Sequence, residues 1–142
     1  MRAFREVQES AHMMEPAKGA MDVGILASDI KASLKFYKDI LGLKFVEERP
    51  VSNGTMHRLR FGDSDFKLID PSTVPPQGPV GVNGQLGFRS VAFCITNLSK
   101  VCAELRARGV EFAVEEKQAR PGVRIAMVKD PDGNIVEFVE RS

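Results

Sequence analysis

The pattern of apolar and polar positions divides the chain into two similar halves. Residues 22–27 alternate, with Val23, Ile25 and Ala27 on one side and Asp22, Gly24 and Leu26 on the other, as in a half-buried strand. The period then changes. Ile30, Leu34, Tyr37 and Leu41 recur at helical spacing, Ser28 or Asp29 can cap the start, and Gly42 supplies a stop. Residues 43–47, 55–61 and 66–69 read as three strands, punctuated by Pro50, Ser52-Asn53-Gly54 and Gly62-Asp63-Ser64. Residues 71–87 carry four prolines and four glycines without periodicity, which predicts a linker. The order then returns. Residues 90–95 alternate, Asn97 can cap a helix through Leu98, Val101, Cys102 and Leu105, Gly109 stops it, and residues 110–114, 123–128 and 135–139 supply three more strands.

The halves also correspond position by position. Asp22 matches Ser90 and Asp29 matches Asn97 at an offset of 68; Gly42 matches Gly109 and Phe45 matches Phe112 at 67; Lys67 to Asp70 fall on Glu137 to Glu140 at 70. The predicted organisation is an arm at 1–20, a first βαβββ module at 21–70, the linker at 71–87 and a second module at 88–142. In the arm, Phe4, Val7 and Ala11 stand at helical spacing, which leaves both a docking amphipathic helix and disorder open. Each helix covers one face of its small sheet, and the other faces are expected to curl toward each other around a shared ligand cup.

Composition narrows the class. A chain of 142 residues, 43% hydrophobic and 27% charged, can bury a core and is not of disordered type. A net charge of +1 and a pI near 7.8 give no reason to expect nucleic acid or a polybasic membrane contact as partner. No apolar run is long enough for a membrane span or a secretory signal, and the two cysteines, Cys94 and Cys102, form no C-x-x-C pair. A reducing, cytoplasmic location is expected.

One residue asks for a chemical explanation. Asp130-Pro131-Asp132-Gly133 has the residues of a type I turn, and the apolar strand after it is interrupted by Glu137. A carboxylate there must face water, pair with a cation or hold a metal.

Taken together, Val23-Gly24-Ile25, Ser28-Asp29-Ile30, Ser33-Leu34, Phe36-Tyr37, Leu41-Gly42-Leu43, Asp130 to Asn134 and Glu137-Phe138 resemble the vicinal oxygen chelate superfamily. Its members include glyoxalases, bleomycin-resistance proteins and extradiol dioxygenases. The resemblance implies an α+β fold of two tandem βαβββ modules forming a cup-shaped mixed sheet, and a homodimer. In metal-dependent members it also implies a divalent cation held by four side chains. The four positions here are Asp22, Lys67, Ser90 and Glu137. Asp22 and Glu137 suit a hard cation; Ser90 is a weak neutral ligand and Lys67 repels one. The expectation is therefore no cofactor, or a weakly bound divalent metal. His57 shares strand parity with Leu59 and Phe61, which places it on the helix-packed side. Met56, Arg58 and Arg60 take the other side, where the two arginines with Lys67 would favour an anionic ligand. Cys94 and Cys102 read as buried packing residues.

Two function classes follow. The first is a binding protein that takes a small, anionic metabolite or drug-like molecule in its cup beside a degenerate metal site. The alternative is a lyase, isomerase or dioxygenase of the same superfamily. In a metal-dependent enzyme Glu137 would serve as ligand or base; in a metal-free one Asp22 or Glu137 would move a proton and Lys67 would stabilise an oxyanion. An interaction module using the arm is a third class that no residue specifically supports.

Overall fold

The computed structural model describes residues 13–142, so the Phe4, Val7 and Ala11 pattern lies outside the described residues. The first alternating stretch forms β1 (Val23–Leu26). Asp29 then starts α1 (Ile30–Leu34), its carboxylate accepting the Ala32 N–H at 3.2 Å. The expected single helix does not continue regularly to Leu41. Residues Lys35–Ile40 widen into a π-helical turn, with the Leu41 N–H reaching the Phe36 carbonyl. The wider turn accompanies the burial of two adjacent rings, Phe36 and Tyr37.

Three antiparallel strands complete the module: β2 (Lys44–Val51), β3 (Gly54–Phe61) and β4 (Ser64–Pro71). β1 pairs parallel with β4, giving the order β1-β4-β3-β2. β2 runs past its expected end through Pro50, which an edge strand tolerates. Gly54 turns β2 into β3 at φ 151°, where an added Cβ would run into the Asp70 carbonyl.

The second module repeats the plan with β5 (Ser90–Cys94), α2 (Leu98–Ala107), β6 (Phe112–Arg120), β7 (Val123–Lys129) and β8 (Ile135–Arg141), in the order β5-β8-β7-β6. Asn97 stands at the N-cap of α2, but its side chain makes no capping bond. Glu140 on β8 reaches over instead and accepts the Leu98 N–H at 2.7 Å. The architecture is α+β, with two tandem βαβββ modules and two mixed four-stranded sheets.

The modules meet in a way that their alternation alone did not indicate. Leu59, Phe66 and Leu68 from the first sheet and Phe93, Val136 and Phe138 from the second belong to one core, together with residues of both helices. Phe66 stacks on Phe93 at 6.2 Å between centroids, and Phe93 on Phe138 at 6.1 Å. The helix-covered faces therefore share the core, and the helix-free faces point away from it. Burying Leu59 and Leu68 completely stabilises the molecule by about 1.5–3 kcal/mol each, so the apolar faces set this packing.

Candidate functional site

The Asp-Pro-Asp-Gly turn fastens one module to the other. The Asp130 carboxylate folds back on its own turn, accepting the N–H groups of Asp132 and Asn134 at 2.9 and 2.8 Å. Its second oxygen accepts the buried Tyr37 hydroxyl at 2.7 Å. Burial, and then the Asp130 charge, push that phenol well above its usual pKa. Asp132 points the other way, accepting the Ser28 N–H at 3.0 Å and also the Ser28 hydroxyl.

The linker crosses beside this turn as a strap. Gln77 donates to the Asp132 carbonyl and Val80 packs over Gly133. Between strap and sheet is a cavity of about 540 Å³ that runs along β1 from Asp22 to Ser28. Its floor includes Ile25, Phe66 and Val91, and its roof includes Pro75, Pro76 and Val80. A volume in this range takes a small-molecule ligand. The charged side chains on its wall are Asp22, Arg89 and Asp132.

The four positions singled out by the resemblance are only partly assembled. Asp22 and Ser90 line the cavity, whereas Lys67 and Glu137 do not. Lys67 aligns with Gly24 and Arg58, and Glu137 with Ala92 and Met127, on the helix-free faces of separate sheets. Asp22 is already occupied: it accepts Lys18 Nζ at 2.7 Å and the Asp65 N–H at 2.9 Å, with Lys67 Nζ 4.0 Å away. The Lys18 bond first, and then the Asp65 N–H, hold the Asp22 carboxyl below the usual carboxylate range.

This donor set does not fit a divalent cation. Its one firmly placed carboxylate is neutralised by lysines, and no three His, Cys, Asp or Glu side chains among the described residues come together as a metal site. His57 adds no ligand to this set, because it lies on the helix side in register with Leu68, its Nδ1 3.3 Å from Glu48.

Arg58 and Arg60 do take the helix-free side, but Asp65 engages both. Arg58 Nη1 donates to Asp65 at 2.6 Å and Arg60 Nε at 2.9 Å, while Glu47 lies 3.1 Å from Arg58. The Arg60 bond is the main cause that holds the Asp65 carboxyl below its usual pKa; burial opposes it and Arg58 assists. Cys94 corrects another expectation: it is exposed, with Arg141 Nη1 3.5 Å from its sulfur, while Cys102 is buried as expected. No sequence motif marks Arg89; its one signal is its place a residue before Ser90, at the start of β5.

The family signature covers most of this structure. The profile of the glyoxalase/bleomycin resistance protein/dioxygenase superfamily matches residues 19–138. The chain belongs to that superfamily. It is 26% identical over 140 residues to a lactoylglutathione lyase of Schizosaccharomyces pombe, a match covering 83% of this chain and 46% of that enzyme. The chain thus spans about half the length of the yeast relative. Among solved structures, SMU.1112c superposes with a TM-score of 0.77 at 24% identity, covering 88% of this chain and all of that one. TnmS3, an antibiotic binding protein from Streptomyces sp. CB03234, gives 0.70 at 24% identity, with 90% and 100% covered. At these identities the two structures show the superfamily fold. No helix among the described residues is long and apolar enough to cross a membrane.

Proposed function

We propose that this member of the superfamily is a cytoplasmic small-molecule binding protein that takes a small anionic ligand in the cavity between β1 and the strap. The observation that carries the reading is the state of Asp22. Where a metal ligand or a base would be wanted, one oxygen of its carboxylate accepts both Lys18 and the Asp65 N–H, and the other faces Lys67 at 4.0 Å. A carboxylate held below its usual pKa is a poor proton acceptor near neutrality. Arg89 supplies the cation for the ligand, since it lines the cavity and has no hydrogen-bond or ion-pair partner among the described residues. Asp22 and Ser90 form further parts of the wall, while Arg58, Arg60 and Lys67 on the neighbouring face are already matched by Asp65, Glu47 and Asp22.

A homodimer is part of this reading. Leu86 and Phe88 on the strap are 100% and 104% exposed, and Ala92 and Cys94 at the open edge of β5 are also exposed. A second copy covering them would bring the helix-free face of one chain, with Lys67, toward that of the other, with Glu137. The alternative, a metal-dependent lyase, isomerase or dioxygenase with Glu137 and Lys67 at the reacting centre, draws support from the lyase relatives.

A melting-temperature screen of the purified chain against metabolite anions, with and without divalent metals, separates the two. Metal-independent stabilisation by an anion is the expected outcome. Tight binding of one metal equivalent, together with turnover of lactoylglutathione, would overturn it.

A further inference from the structure

The cavity follows a sheet edge, and the edge has its own chemistry. β1 lies at the border of its sheet and pairs only with β4. In a parallel strand, alternate residues turn both N–H and C=O to the same neighbour. The Ala27 N–H donates to Ile69 on β4, whereas the Ser28 N–H points the other way, to Asp132. Gly24 and Leu26 share the orientation of Ser28. Their N–H and C=O groups therefore face the strap, and no strand among the described residues pairs with them. Gly24 and Leu26 are exposed along this border, and an edge strand whose N–H and C=O groups lack a strand partner is a template for pairing with another extended backbone.

We propose that this cavity recognises an extended, peptide-like backbone by adding it to the free edge of β1. The inference rests on the cavity being a ligand site, and it names the chemistry of the ligand. The edge offers two donors and two acceptors at strand spacing over four residues, a length of roughly 13 Å. Ile25, Phe66 and Val91 give apolar contact on one side, and Pro75, Pro76 and Val80 on the other. The strap limits the occupant: it leaves about 540 Å³, room for a short peptide or peptide-like molecule rather than a strand that carries a whole domain. Arg89, beside Ser90, provides for a terminal carboxylate.

The test uses the full chain labelled with nitrogen-15 and, as probes, N-acetyl-trivaline with a free carboxylate and the same tripeptide methylated on its backbone nitrogens. The expected result is saturable movement of the Gly24 and Leu26 amide signals, with the Ala92 signal unmoved, and binding weakened roughly tenfold or more by N-methylation. Gly24→Pro removes only an edge-facing N–H, which an edge strand tolerates, and should weaken the unmethylated probe selectively. Equal binding of both probes, or movement confined to the helix-free faces, would overturn the inference. So would amides at Gly24 and Leu26 that become accessible only when a dimer is dissociated, since a second copy would then occupy the edge. If other anions bind and the tripeptide does not, this inference alone falls; if neither binds, the small-molecule reading falls with it.

Discussion

Tyr37 donates its hydroxyl to Asp130 across 93 residues of sequence, joining the π-helical turn of one module to the hairpin of the other at 2.7 Å. The bond is buried and its acceptor is a carboxylate, so its loss should be felt. Tyr37→Phe is expected to lower stability by about 1.5–3 kcal/mol. Urea denaturation checks this, with a lower midpoint and an unchanged slope. An unchanged midpoint would mean that the latch contributes nothing.

The same phenol makes the fold sensitive to alkali. Its pKa is raised above the ordinary 10.0, so the native state holds the proton more tightly than the unfolded chain. The associated stability is fully present below pH 10 and is lost as pH rises above it. Tyr37 is the only tyrosine, which makes tyrosinate absorbance a clean reporter. Ionisation should coincide with unfolding, not precede it.

Asp65 gives the opposite dependence. Its carboxyl is held below the ordinary 3.8, first by Arg60, so its contribution is present above that pH and fades as pH falls through the folded value. Asp65→Asn should melt lower than the parent chain at neutral pH, with the gap closing in acid. A pH-independent gap would point to packing instead of charge.

Lys67 tests the link to metal-dependent relatives. Lys67→Glu exchanges a cation 4.0 Å from Asp22 for a carboxylate. The variant is expected to gain a melting shift with zinc or nickel that the parent lacks. If the variant shows no such shift, its helix-free face does not join a metal-type constellation.

Leu86, fully exposed on the strap, reports on self-association. Leu86→Asp should reduce the mass seen by light scattering from dimer to monomer while the circular dichroism spectrum stays the same. A parent chain already monomeric would end the dimer reading.

The fold was largely legible in the chain, and the reason is periodicity. Val23-Ile25-Ala27 and Val91-Phe93-Ile95 each mark one strand face, and Gly42 and Gly109 close equivalent helices. Parity likewise placed His57 opposite Arg58 and Arg60. What parity cannot reveal is which distant group meets a side chain. Arg60 pairs with Asp65 because the tight turn at Gly62 and Asp63 sets the register of β3 and β4, a signal present in the sequence but one that requires the hairpin to be drawn first. The meeting of Phe66 with Phe93, and of Tyr37 with Asp130, depends on how two finished modules dock. No local pattern encodes that docking.

The Asp-Pro-Asp-Gly turn also has a kinetic meaning. Its two carboxylates close loops that reach back 93 and 104 residues, to Tyr37 and Ser28. Such contacts span the longest loops closed by a side-chain hydrogen bond among the described residues and form only after the second module has made its last hairpin. The two halves should therefore acquire their internal structure before they join. Mutations in the latch would then leave the folding rate nearly unchanged and appear as faster unfolding.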